Sequence, residues 1–193
     1  MRTLHHVVIT PHRVVVDEEQ MMVASSGKMM LKEIYQSKIG NYPKFYKMDM
    51  LCKLGFVASE LLLQKEGDRN IGEKGVVEEE NQRDDRAVIL LNSSSSICDD
   101  RAYQKTIEYV DDYFPSPMVF VYTLANIVTG EIALRNRYYG ETNFYVIPQK
   151  DEKVMMKIVE DSFMDEHTTS AICGWLNCDD EEHFEADLYL VEK

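Results

Sequence analysis

Ala87-Val88-Ile89-Leu90-Leu91-Asn92 is a continuous apolar run of strand length. A strand with one face in water alternates apolar and polar residues, whereas a strand covered on both faces does not. The run therefore reads as a buried parallel strand. Downstream, Ser93 to Ser96 is a tight polar turn, and Asp99 to Tyr109 reads as a helix capped by Asp99 or Asp100. Pro115-Ser116-Pro117 marks a loop, and Met118 to Tyr122 is a short apolar run. Thr123 is placed to cap a helix over Leu124 to Arg137, with Leu124, Ile127, Val128 and Ile132 as its apolar stripe. Tyr138-Tyr139-Gly140 ends it. Asn143 to Ile147 then reads as a strand. Asp151 to Phe163 reads as a helix with Val154, Met155, Ile158 and Val159 inward. Thr169 to Cys178 and Phe184 to Val191 read as two adjacent strands.

Upstream, His6 to Val16 holds two apolar runs around Pro11, either two short strands or one bent edge. A helix starts after Gly27, and Gly40-Asn41-Tyr42-Pro43 is a turn. Phe45 to Gln64 reads as one helix, because Leu51, Leu54, Ala58, Leu61 and Leu62 recur at helical steps. Residues 65 to 86 hold Gly67, Gly72, Gly75 and the run Glu78-Glu79-Glu80, which predicts a surface loop. Val76-Val77 within it suits a short edge strand. Strands alternate with helices until the last two strands, which follow one another directly. That order predicts α/β layers around a mixed sheet.

The 193 residues and 45% hydrophobic content suit one domain with a sizeable core. The net charge of −13 makes phosphate-rich partners unfavourable, so neither nucleic acid nor an anionic membrane surface is an expected partner. No apolar segment is long enough to span a bilayer. The N-terminal stretch is interrupted by Pro11, His12 and Arg13 and does not read as a signal peptide. Cys52, Cys98, Cys173 and Cys178 follow no disulfide-framework spacing, so free thiols in a cytoplasmic protein are expected.

Several groups have a chemical and a bland reading. His167, Cys173, Cys178 and His183 lack the close cysteine pair that closed zinc sites favour, so structural thiols and surface histidines are preferred. Ser93 to Ser96 lacks the glycines and lysine of a phosphate loop, so an ordinary strand-to-helix connection is preferred. Asp99-Asp100, Asp111-Asp112 and Asp179 to Glu182 sit at element ends, where capping and solvated charge suffice. The 11 methionines and 11 tyrosines are read as core and interface packing before an acyl or aromatic groove. Neither a metal nor a cofactor is expected.

Particular stretches resemble the β-ketoacyl synthases. Val7-Val8-Ile9-Thr10 is similar to the strand that opens their fold, and Lys44 to Asp49 resembles the entry to their early helix. Phe114-Pro115-Ser116-Pro117 followed by Leu124 to Ala133 resembles the segment before the nucleophile strand. Tyr139-Gly140-Glu141-Thr142 stands where that family has Gly-Pro-Ser or Gly-Pro-Asn. The resemblance implies a thiolase-like N-terminal half over residues 1–193, with a mixed five-stranded sheet, flanking helices and a surface loop at 65–86. The family activity would be that of a 3-oxoacyl-ACP synthase.

The same resemblance implies missing chemistry. The family's cysteine nucleophile sits at a helix N-terminus, nine residues past the motif glycine; nine past Gly140 stands Gln149, an amide that forms no acyl-enzyme. The family's carbonyl-binding histidines belong to its C-terminal half, and His167 and His183 stand outside its motifs. No catalytic residue is therefore expected. Glutamine at this position is familiar from chain-length-factor subunits, which pair with an active ketosynthase. The implied role is a non-catalytic accessory subunit in fatty acid, polyketide or polyene-type synthesis. Its partners would be a full-length ketosynthase, a second copy of the chain or an acyl carrier protein. Asn143, Phe144, Tyr145, Val146 and Ile147 are the interface candidates, because the family pairs this strand across its dimer axis. Two alternatives stay open: an acyltransferase or hydrolase of altered chemistry, for which Cys98 is the thiol to examine, and an acyl-chain binding module.

Overall fold

The structure is a computed structural model that describes residues 1–66 and 69–193. Gly67 and Asp68, within the predicted surface loop, lie outside the described residues, as does the side chain of Asp112. The strands are β1 (Arg2–Thr10), β2 (Arg13–Val16), β3 (Glu19–Met21), β4 (Arg86–Asn92), β5 (Thr142–Val146), β6 (Ser170–Cys178) and β7 (Phe184–Glu192). The α-helices are α1 (Gly27–Ile34), α2 (Met50–Leu63), α3 (Ile97–Lys105), α4 (Pro117–Tyr122), α5 (Ile127–Asn136) and α6 (Glu152–Ser162). One mixed sheet runs β3-β2-β1-β7-β6-β4-β5, with β4 parallel to both of its neighbours and the remaining pairs antiparallel.

β4 explains its own sequence. Val88 and Leu90 face one core, with Ile172, Leu176, Leu188 and Leu190 of the sheet and Leu54, Leu61 and Leu62 of α2. Ala87, Ile89 and Leu91 face the other, with Cys173 and Trp175 of β6 and Met155, Val159 and Phe163 at α6. Both faces of the strand are dry, so positions 87–91 between the paired Arg86 and the hydrogen-bonded Asn92 are all apolar. α2 is buried almost all round. The Asp49 carboxylate caps it, accepting from Leu51 N at 2.9 Å and Cys52 N at 3.2 Å.

The sheet has seven strands rather than the expected five. The extra strands come from the N-terminal ribbon, where the chain turns back twice. The second turn places Asp17 and Glu18 at φ 50° and 69° without a glycine. Asp17 holds it by accepting from His6 N and from the His5 ring, each at 2.9 Å. A turn fixed by bonds from its own carboxylate to a strand residue 11 positions away carries no local signal.

Other boundaries move for definable reasons. The helix expected over Phe45 to Gln64 is two pieces: a 3₁₀ turn over Pro43–Lys47, then α2 after the extended residue Met48. α3 begins at Ile97, since the Ser96 carbonyl already accepts from Asp99 N and Asp100 N; Asp99 and Asp100 lie in the first turn and do not cap. Met118 to Tyr122 is helical, started by Pro117 and by Ser116 Oγ accepting from Val119 N at 3.4 Å. Thr123 consequently closes α4, donating Oγ1 to Phe120 O at 2.7 Å, and does not cap α5, which starts three residues later than predicted. Val128 and Ile132 keep the predicted stripe buried, while Leu124 is exposed. In α6, Met155 and Val159 point inward, Ile158 is half-buried and Val154 faces out.

Residues 69–85 run largely without regular structure, but they are tied down. The predicted edge strand at Val76-Val77 is one antiparallel bridge between Ile71 and Val77. Val77 is buried, its N–H donates to Arg135 O at 2.9 Å, and its carbonyl accepts from Arg137 Nε at 2.7 Å. Beneath it, Glu60 and Arg135 form an ion pair at 3.2 Å with each side chain only 1% exposed. The Arg135 guanidinium lies over the rings of Tyr42 and Phe56. Arg86, at the start of β4, is paired bidentately with Glu66 at 2.6 and 2.7 Å.

Candidate functional site

In an open sheet the crevice at the carboxyl ends of parallel strands is where loops can present chemistry. Here that end carries the Ser93–Ser96 turn after β4 and the crossover from β5 to α6. The interface candidates Asn143, Phe144, Tyr145 and Val146 lie on β5, opposite Ile89, Leu90, Leu91 and Asn92. Ile147 follows the strand and donates its N–H to Asn92 O at 2.8 Å. β5 is the last strand of the sheet, so among the described residues its outer edge has no partner. Tyr145 and Ile147 lean on the α6 core and Phe144 on the α2 core, whereas Val146 is 54% exposed.

Gln149 is exposed in the bend between β5 and α6. It is not at a free helix N-terminus. Asp151 caps α6, its Oδ1 accepting from Lys153 N at 2.9 Å and Val154 N at 3.2 Å. A carboxylate already occupies the positive end of the helix, which is the feature that would otherwise stabilise a thiolate there. The cysteine below, Cys173, is fully buried between β6 and α6, and burial pushes its thiol up to about 12.

Sequence reading did not foresee the cluster beside Gln149. Lys150 Nζ donates to Glu185 Oε1 and to Asp187 Oδ2, both at 2.6 Å. The other oxygen of Asp187 lies 2.6 Å from His6 Nε2, and the His6 ring stacks on Tyr189 with centroids 4.2 Å apart. Burial alone would raise the Asp187 carboxyl, but hydrogen bonds from Lys150 and His6 hold it below the usual carboxylate range. Burial and the neighbouring Asp187 push the Tyr189 phenol up to about 12. A cavity of about 50 Å³, lined by Leu91, Met155, Trp175 and Tyr189, lies next to the cluster. That is room for a water or a methyl group, not for an acyl thioester. A larger hollow of about 1050 Å³ lies between residues 72–78 and the end of α5; it is lined by Lys74, Leu134, Arg137 and Tyr139 and contains no thiol or histidine.

The other candidates are dispersed. Cys173 and Cys178 belong to cores on opposite faces of the sheet, and His167 and His183 lie at Asp84 and Asp180 respectively. Among the described residues no three histidine, cysteine or acidic side chains converge as metal ligands. The serine turn is engaged internally: Ser94 Oγ donates to Asn177 Oδ1 at 2.8 Å and Ser96 Oγ to Thr123 O at 2.5 Å. A run of apolar side chains is exposed nearby on residues 109–124, with Val110 94% and Phe114 77% exposed alongside Tyr113, Met118 and Phe120. No described helix is long and apolar enough to cross a membrane.

No family model matches the chain, and no curated protein matches it. Solved structures do. One, described as the ishigamide ketosynthase/chain length factor, superposes with a TM-score of 0.59 at 17% identity, over 76% of this chain and 44% of that one. Another, a ketosynthase (ApeO) in complex with its chain length factor (ApeC) from Xenorhabdus doucetiae, gives a TM-score of 0.60 at 10% identity, over 100% of this chain and 79% of that one. The fold is ketosynthase-like. The thiolase-like architecture implied by the sequence resemblance is therefore present, with two more strands than expected. The chain spans less than half of the first of these structures.

Proposed function

We propose that the chain is a non-catalytic, chain-length-factor-like partner of a ketosynthase in polyketide or polyene-type acyl-chain synthesis. Residues 1–193 act in this reading as one ketosynthase-N-terminal-like unit, and Gln149 marks the position where the catalytic relative would carry its nucleophile. The observation that carries the reading is the free outer edge of β5 in a ketosynthase-like fold. An unpaired edge is a template for another chain. In a parallel pair the N–H groups alternate in direction. Ile147 N faces β4, so the N–H groups of Phe144 and Val146 face outward. The exposed apolar surface on residues 109–124 supports the same conclusion, since monomers rarely leave more than about 300–600 Å² of contiguous apolar surface uncovered.

Two groups speak against catalysis at the crossover. Asp151 occupies the helix end, and Lys150 is held by two carboxylates, so neither an oxyanion donor nor a free base is on offer. Co-purification with a ketosynthase, followed by light scattering, tests the proposal. A one-to-one heterodimer supports it. A homodimer that ignores the ketosynthase, or a complex with an acyl carrier protein alone, contradicts it.

A further inference from the structure

The hollow of about 1050 Å³ beside α5 lies at the start of β5, the opposite end of that strand from Gln149, and Thr142 is among its lining residues. Its floor is one face of α5. Gly130, Ala133, Leu134 and Arg137 recur at three- and four-residue steps, and all four line it. The first two are small, and a Cβ on Gly130 would meet nothing within 4 Å, so the floor is open. Leu134 and Tyr139 stand at its edge, 62% and 64% exposed. Residues 72–78 form the facing wall, which carries Lys74.

Arg137 is the positioned charge of this hollow. It ends α5 in the left-handed conformation, at φ 50°, where glycine is the usual residue. Its carbonyl accepts from Arg83 N at 3.0 Å, and its Nε donates to Val77 O at 2.7 Å. Among the described residues that is the one hydrogen bond its side chain makes, so the four N–H groups on its terminal nitrogens are left to be met. Arg86 and Arg135, by contrast, are each paired with a glutamate. Two acids also line the hollow: Glu73, which is exposed, and Glu78, whose carboxylate fills the space beside Gly72. On a chain of net charge −13, a fixed guanidinium with no carboxylate partner among the described residues is a local exception.

We propose that the hollow binds a small aromatic carboxylate. Its two oxygens accept from the terminal nitrogens of Arg137, the end of the guanidinium left open once Nε is held, and Lys74 adds positive charge from the facing wall. The planar ring lies over Gly130 and Ala133, whose small side chains let a flat group approach the helix, and packs against Leu134 and the ring of Tyr139. The volume is ample for one such molecule.

The test titrates 2-naphthoate, with the neutral 2-naphthamide as its control, into the isotope-labelled full chain and follows the backbone amide resonances. Naphthoate should give saturable shifts centred on Gly130 to Arg137 and Tyr139, and naphthamide should bind about tenfold more weakly. Arg137→Gln should weaken naphthoate about tenfold and leave naphthamide unchanged. Gly130→Leu, which places a side chain in open space, should abolish binding of both. Absence of saturable shifts, shifts centred elsewhere, equal affinity for acid and amide, or undiminished naphthoate binding in Arg137→Gln overturns the proposal. The comparison of acid with amide needs no substitution, so a variant that fails to fold leaves it decisive. No ketosynthase is present, so failure here does not bear on the pairing of β5, and failure of that pairing does not bear on this site.

Discussion

Lys150 and Asp187 meet at 2.6 Å across two elements that are far apart in sequence, the β5–α6 crossover and β7. The residue directly after Gln149 is thereby fastened to the sheet. Asp187 also lies 2.6 Å from His6 on β1, so one carboxylate joins the first strand, the last strand and the crossover. The cluster fixes the exit from β5, and with it the outer edge on which the proposed pairing depends.

That joint should be visible in acid. The Asp187 carboxyl is held below its ordinary value, so its stabilising effect is present above the unfolded value near 4 and is lost as the pH falls through the folded one. Asp187→Asn should cost about 1 kcal/mol at neutral pH, a modest figure because Lys150 and His6 are partly solvated. The gap between variant and wild type should close below about pH 4. Urea unfolding at a series of pH values checks this, and a gap that is constant with pH would refute it.

Glu60 and Arg135 should matter far more. Both are buried, and Arg135 also lies against two aromatic rings. Arg135→Met leaves the Glu60 charge with Arg69 as its remaining partner, and should cost about 3–5 kcal/mol. The urea midpoint measures it; a change under about 1 kcal/mol would show that Glu60 is adequately served by Arg69.

Two glycines should respond in opposite directions. A Cβ on Gly55 of α2 would lie 2.4 Å from Val128 Cγ2 of α5, so the two helices touch only because a side chain is missing. Gly55→Ala should destabilise by about 1–3 kcal/mol through overpacking. A Cβ on Gly130 would meet nothing within 4 Å, and Gly130→Ala in α5 should stabilise by about 0.5–1 kcal/mol. Thermal unfolding of both variants separates the two effects by sign.

The layered fold was legible wherever burial left a mark on local sequence. The dry run Ala87 to Asn92 read as a buried parallel strand, and the final two strands read as adjacent; the structure has β4 parallel to both neighbours and β6 paired with β7. Gln149, reached by counting from Gly140, is an exposed bend residue between β5 and α6, and its equivalence to a nucleophile position rests on the resemblance alone. β2 matches the two-strand reading of His6 to Val16, but β3 was not legible, because the turn before it depends on Asp17 reaching His5 and His6 rather than on a glycine. The Lys150–Asp187–His6 cluster was hidden for the same physical reason: it exists only once β1 lies against β7, and no spacing encodes that pairing. Thr123 misled because a threonine near a helix end serves equally well to close one helix or to start another.

The central claim is that the outer edge of β5 pairs with a ketosynthase. Val146→Pro tests it most directly, because proline removes an outward N–H while leaving the pairing with β4 intact. The measurement is light scattering of wild type and variant, each co-expressed with a ketosynthase and compared with its isolated chain by circular dichroism. A one-to-one complex for the wild type, lost or weakened about tenfold in a variant with an unchanged spectrum, is the predicted result. An equally stable complex in the variant, or none in the wild type, would contradict the account.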